Sequence, residues 1–331
     1  MGEEQSAAID WGKVEEEILC PLCDYNLRGL GEAKCPECGY RFEWADLIDP
    51  ERRRHPYLFE HHPRHKVWAF WKTMVGGVRP RRFWTSLKPG QPSHRGWLIL
   101  YAVLASVIAL MLPLVFVGFG AVEAARAMVR ERDQHIAAYS SIAAADTTFR
   151  RQYPNQQAWA RTMYAAYPRP LSGTFFRELL SRSKLWGLLI KIVEYTVFIV
   201  IWPWLTFLFL MIFVISMRRA HVRRIHVMRC VVYCGDAGVW LVIGAAIVGV
   251  LCSVAMTWIS ANNQLGFWME FGSAAGAAIF LIVFAYRLAM AYRYYLKFDY
   301  PVATVVSSQV IAIMFAMIVL SVTDQIAVLG L

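Results

Sequence analysis

The sequence predicts an all-α membrane protein, about five transmembrane helices with a small N-terminal ribbon ahead of them. Three observations carry this. Of 331 residues, 57% are apolar and only 18% charged, against roughly 25% charged in an average soluble domain. The apolar residues gather into stretches of the roughly 20 residues that a helix needs to cross a bilayer core. Ahead of all of them, one short cysteine pattern is written twice.

That pattern is Cys20-Pro-Leu-Cys23-Asp-Tyr25-Asn-Leu27, then Cys35-Pro-Glu-Cys38-Gly-Tyr40-Arg-Phe42. Two Cys-x-x-Cys knuckles bring four thiolates around one tetrahedral ion, the arrangement of a closed structural zinc site, so residues 1–50 are read as a cytoplasmic zinc ribbon with Cys20, Cys23, Cys35 and Cys38 as metal ligands. Each knuckle turns its backbone N–H groups toward its sulfurs. The residue after the second cysteine needs positive φ, which Gly39 supplies freely and Asp24 tolerates. Four thiolates on a divalent ion leave a double negative charge that Arg28, Lys34 and Arg41 offset. A disulfide framework is the competing reading, and it conflicts with a reducing cytoplasm. Iron is the alternative ion, because four thiolates accept it as readily as zinc.

The strings CPLCDYNLRGL and CPECGYRF resemble the rubredoxin-type zinc ribbon at the head of bacterial membrane proteins. The resemblance covers about 23 residues, Cys20 to Phe42; it implies the same four ligands and nothing about activity.

Residues 51–96 are basic, aromatic and rich in histidine. From 52 to 96 there are eleven Lys and Arg against the single acid Glu60. Basic heads on aromatic bodies suit an anionic inner leaflet, so an interfacial segment is expected, with Val67, Phe70, Trp71 and Met74 as one apolar stripe and Phe83 and Trp84 as anchors. A single-stranded nucleic-acid groove shares this composition. Directly before a membrane span, lipid is the better partner. His55, His61, His62 and His65 are expected to be solvated or lipid-facing, since Pro56 and Pro63 break any single ligand-bearing helix.

Five spans follow: 97–119, one within 185–217 after an interfacial helix, 237–259, 267–289 and 301–322. None falls in the first 90 residues, so no cleavable signal peptide is expected. Positive charge retains the N-terminus inside, and the short linkers alternate accordingly: Arg218, Arg219, Arg223, Arg224 and Arg229 after the second span, no charge from Ser260 to Gly266, then Arg287, Arg293 and Lys297. A multi-pass inner-membrane protein results, N-terminus cytoplasmic and C-terminus external. Span number and orientation give it a likeness to the Yip family of five-span proteins, although no motif residue contributes and the long loop departs from their compact hairpin.

Residues 120–184 are read as an external helical loop, Ala-rich at first, broken at Pro154, Pro168 and Pro170 and restarting near Thr174; Trp159, Tyr164 and Tyr167 are available to membrane or partner. Residues 218–236 are read as a cytoplasmic amphipathic linker on the lipid surface. Gly272 to Gly276, with Ala245 and Gly249, suggests a tight hairpin of the third and fourth spans. Cys230, Cys234 and Cys252 read as small buried thiols. Pro203 is expected to bend the second span.

Ionisable groups inside spans are the usual functional suspects. Lys191 and Glu194 can pair, Glu270 and Arg287 lie near helix ends where snorkelling relieves them, and Asp236 precedes the third span. Ser307, Ser308 and Gln309 are the central polar cluster, expected to bond between helices. The chain lacks a Gly-x-Ser-x-Gly elbow, a Walker loop and a His-Glu-x-x-His pair, so no catalytic or cofactor-binding residue is assigned. The favoured reading is a non-enzymatic adaptor whose ribbon binds a cytoplasmic protein. The alternatives are a membrane-anchored electron-transfer protein and a transporter or lipid-acting protein.

Overall fold

A computed structural model describes residues 17–49, 52–166, 185–212, 222–258, 265–298 and 300–329. The helices are α1 (Trp44–Ile48), α2 (Lys66–Gly77), α3 (Pro80–Ser86), α4 (Arg95–Ala145), α5 (Thr147–Gln152), α6 (Gln156–Ala166), α7 (Leu185–Ile212), α8 (Arg224–Gly235), α9 (Ala237–Trp258), α10 (Leu265–Tyr294) and α11 (Pro301–Leu329), with a 3-10 turn at Phe59–His61. Among the described residues there is no strand, only the isolated bridges Leu19 to Asn26 and Lys34 to Arg41. Among the described residues five segments are long and apolar enough to cross a membrane: Arg95–Ala145, Ile190–Met211, Arg224–Val248, Ala275–Tyr294 and Pro301–Val319. The chain is an all-α membrane protein with a cysteine cluster at its N-terminal end.

It divides into two compact units, one of Met1–Ile108, Phe198–Leu241 and Asn262–Leu331, the other of Ala109–Val197 and Val242–Ala261. In the first, the core gathers where segment 55–61 meets α2, α3, α8 and the end of α10. Leu58 and Phe59 are buried there, and the Phe59 ring packs on Phe70, Trp97 and Tyr101. Thr73 fixes the turn: its hydroxyl accepts from the Phe59 N–H at 2.9 Å and donates to the Tyr57 carbonyl at 3.2 Å.

Two ion pairs are buried in this core. The Arg229 Nε donates to Glu60 Oε1 at 2.9 Å with both side chains fully covered. Tyr233 donates to the same oxygen at 2.8 Å, and the His94 N–H donates to the other at 2.9 Å. The remaining Arg229 nitrogens reach the Tyr295 hydroxyl at 3.1 Å and the Pro92 carbonyl at 2.6 Å. The second pair is Arg287 with Asp236, at 2.6 Å; Tyr101 donates to the same carboxylate and Arg287 to the Tyr233 carbonyl at 3.0 Å. A buried charge is tolerated only when paired and hydrogen-bonded; the Arg229 pair meets this, while in the second pair Asp236 Oδ1 and Arg287 Nε are left without a hydrogen bond. A Cβ at Gly77 would collide with the Arg287 guanidinium, so α2 must carry glycine where it crosses that group.

Several expectations change here. Segment 218–236 does not present an amphipathic face to lipid in its described part. Ile225, Val227, Arg229, Val231, Val232 and Tyr233 are all covered, because Arg229 turns inward to Glu60. Arg287 does not snorkel; Asp236 holds it inside. Phe83 and Trp84 are core residues against Tyr233 and Tyr295 rather than lipid anchors. Of the expected α2 stripe, Phe70 and Met74 face the core while Val67 and Trp71 face outward.

His55 and His61 are likewise buried rather than solvated. His61 Nδ1 accepts from the His55 N–H at 2.8 Å, which leaves Nε2 to donate to the Pro92 carbonyl at 2.8 Å. His62 Nε2 reaches the His55 carbonyl at 2.9 Å. Burial first, then the neighbouring His61, Arg229 and His62, pushes His55 down to about 4. His61 also falls to about 4, mainly through burial, against the pull of its bond to Pro92.

Of the polar cluster on α11, Gln309 bonds across to α7 as expected, whereas Ser307 and Ser308 donate to carbonyls of their own helix, Ala303 and Val305. Trp202 Nε1 donates to Gln309 Oε1 at 2.8 Å, and Gln309 Nε2 donates to Thr206 Oγ1 at 3.1 Å. Cys230 and Cys234 are buried free thiols.

Helix α4 is unbroken from Arg95 through Pro113 to Ala145, its part from Ala109 on belonging to the second unit, and it ends where Asp146 caps α5, accepting from the N–H groups of Thr148 and Phe149. Trp159 is buried against Tyr139 and Phe149, so it faces this unit's interior instead of a partner. Lys191 and Glu194 pair at 3.1 Å on the exposed side of α7, which runs through Pro203 without interruption. The expectations for Tyr167, Pro168, Pro170 and Thr174 fall outside the described residues, and those for Tyr164, Gly249, Cys252, Glu270 and Gly272 outside the described side chains.

Removing one partner of a fully buried pair strands the other, at about 3–5 kcal/mol. Arg229→Met alone is therefore expected to lower the melting temperature in detergent much more than Arg229→Met combined with Glu60→Leu; equal losses would contradict the pairing. His55 and His61 have folded values of about 4 against 6.5 free. The unfolded chain then takes up protons first, and stability falls as pH drops from about 6.5 to about 4. Melting curves across that window should show the decline, and His61→Asn should reduce it.

Candidate metal centre

The two knuckles repeat each other contact for contact at a fifteen-residue offset. In the first, the Cys20 N–H donates to Tyr25 O at 2.7 Å and the Asp24 N–H to Cys20 O at 2.9 Å. In the second, Cys35 N–H to Tyr40 O is 2.9 Å and Gly39 N–H to Cys35 O is 3.0 Å. The sequence pattern builds these turns because proline opens each one and a residue tolerant of the left-handed region closes it. Asp24 has φ 62° and Gly39 φ 70°, at the two positions expected.

This geometry brings all four sulfurs within 4.8 Å of one another. The short edges run between knuckles: Cys20 Sγ to Cys38 Sγ is 3.6 Å and Cys23 Sγ to Cys35 Sγ is 3.5 Å. A tetrahedron with metal–sulfur bonds of about 2.3 Å has sulfur–sulfur edges of about 3.8 Å, so the cluster fits a four-coordinate ion with slight expansion. Backbone N–H groups of Leu22 and Cys23 bond Cys20, those of Glu37 and Cys38 bond Cys35, and Tyr25 and Tyr40 supply one each to Cys23 and Cys38. Such bonds favour thiolate.

Burial opposes them, and pushes the Cys20, Cys23 and Cys38 thiols up to about 12. Burial also raises Cys35, but there the N–H groups of Cys38 and Glu37 prevail and its value is lowered. Ionising all four thiols together therefore calls for a cation among them. With all four sulfurs on one ion, no coordination position is left for a substrate.

The first knuckle does not stand free. His226 Nε2 donates to the Pro21 carbonyl at 2.8 Å, and the Arg223 N–H donates to the Leu22 carbonyl at 3.0 Å. Arg223 also pairs with Asp24 at 3.1 Å, and Leu22 is buried. His226 Nδ1 accepts from the Tyr295 hydroxyl at 2.7 Å, and that hydroxyl accepts from Arg229. The backbone between two ligands is therefore wired to the buried Glu60 pair. On the ribbon's other flank, Lys88 pairs with Asp46, and Leu47 is buried near Gly90.

The four cysteines named from the sequence are the ones brought together. Arg223, His226 and the Pro21 and Leu22 carbonyls were not anticipated. Arg223 and His226 sit in an arginine-rich run whose local pattern gives no hint of a contact some two hundred residues away. Comparison with known proteins adds nothing further, since no family model, curated protein or solved structure matches the chain. The likeness to five-span Yip proteins accordingly has no match behind it.

Cys35→Ser with Cys38→Ser is expected to remove the bound metal, measured by elemental analysis of purified protein as a drop from about one equivalent per chain. Retention of a full equivalent would rule this centre out.

Proposed function

We propose that the protein is a non-enzymatic membrane adaptor. Its zinc-loaded ribbon, held on the cytoplasmic side of a multi-pass anchor, binds a protein partner. The observation that carries this reading is a closed four-sulfur site in a ribbon that is held in place yet keeps large apolar side chains in solvent. Residues 223–226 hold Pro21, Leu22 and Asp24, Lys88 and Gly90 meet Asp46 and Leu47, and Leu19 and Tyr25 remain exposed at 45% and 40%. Large apolar side chains that a small rigid module keeps in solvent are the ordinary anchors of a protein contact. The excess of Lys and Arg in residues 52–96 supports a cytoplasmic N-terminus.

Leu19→Ser with Tyr25→Ser should retain the metal and the melting temperature yet lose proteins that co-purify with the intact chain. If those variants and the cysteine-to-serine pair all keep the same companions, the adaptor reading fails. Zinc-loaded protein is colourless, whereas iron in four thiolates absorbs in the visible; a coloured preparation would turn the reading toward electron transfer.

A further inference from the structure

Beyond the ribbon, α2 presents a second surface that the adaptor reading does not use. Along its length α2 touches three membrane helices in succession. Lys66 lies over the Trp97 ring at 3.4 Å and Phe70 packs on Tyr101, both at the start of α4. The Met74 carbonyl accepts from Trp240 Nε1 at 3.3 Å, at the start of α9. Gly77 meets Arg287 in the last third of α10, and the following α3 sets Arg81 over Tyr294 at that helix's end. A helix of twelve residues that contacts three membrane helices in order runs across them. One of those spans begins at this level, at Arg95, and another ends there, at Tyr294, which puts α2 at the edge of the apolar slab.

The inner face of α2 is Ala69, Phe70, Thr73, Met74 and Gly77. The opposite face carries Val67, Trp68, Trp71 and Val75, with Val78 just after, and leaves them in the open, Val67 at 75% and Trp71 at 43%. On α4, Ile99 and Val103 are likewise exposed apolar residues. Exposed cations flank it: Arg64, Lys72, Arg79, Arg81 and Arg82. Glu60, the one acid among residues 52–96, is taken by Arg229, and among the described residues none of these five cations has a carboxylate partner.

We infer that the outward face of α2 is seated in the headgroup layer of the protein's own bilayer and that the flanking cations select anionic phospholipid there. Tryptophans of this kind settle at the boundary between headgroups and acyl chains, and basic residues beside them draw negative lipids, each by up to about fivefold in local concentration. The inference stands whether or not the ribbon binds a partner.

The test places the photo-crosslinker benzoylphenylalanine at Trp71 or Val75 of the full chain, in vesicles of mixed zwitterionic and anionic phospholipid, and identifies adducts by mass spectrometry. Lipid adducts richer in the anionic species than the vesicle are expected, with the enrichment falling several-fold in Lys72→Gln/Arg81→Gln/Arg82→Gln; the crosslinker at Glu32 on the ribbon should give no lipid adduct. Adducts to another protein or a second copy, or lipid adducts without anionic preference, would overturn the inference. Hydroxyl-radical footprinting of the unsubstituted protein reads the same face: Trp68 and Trp71 should be protected relative to Tyr25, and equal oxidation would count against it.

Discussion

The fully buried pair of Arg229 and Glu60 is the point on which the first unit turns. Its carboxylate gathers Tyr233 and the His94 N–H, and its guanidinium gathers Tyr295 and the Pro92 carbonyl. These groups belong to the segment after the ribbon, the approach to α4, α8 and the end of α10. Removing two charges from water is strongly unfavourable, and only this degree of hydrogen bonding makes the arrangement tolerable. A core built so must close around one geometry, because any looser one strands a charge.

The metal centre gains its position from the same network. Tyr295 links Arg229 to His226, and His226 holds the carbonyl between the first two ligands. Within the ribbon the thiols are individually reluctant to ionise, apart from Cys35, so the fold of the knuckles and the presence of a cation support each other. An ion held there would do two things at once: tie the two knuckles together and, through Pro21 and Leu22, stiffen the edge that residues 223–226 bind. A ribbon docked in this way is an ordered part of the membrane base instead of a tethered bead.

How much of this was legible follows from the range of the interactions. The knuckles were readable because every determinant, from the proline to the positive-φ residue, lies within six positions of a cysteine. The membrane helices were readable because length and apolarity are properties of a single segment. The inward turn of Arg229 was not, since its partner lies 169 residues away and an arginine-rich helix beside a bilayer reads as amphipathic until that partner is known. Phe83, Trp84, His55 and His61 were misplaced for the same reason. Their chemistry suits a membrane surface, and only the neighbouring helices reveal that they are inside. Gln309 was read correctly because a central amide on an apolar helix has few outlets besides the next helix.

The most direct test is X-ray absorption at the metal edge of the purified, membrane-embedded protein. The account predicts four sulfur neighbours at about 2.3 Å and no oxygen or nitrogen in the first shell. A shell containing oxygen or nitrogen donors, or fewer than four sulfurs, would contradict it.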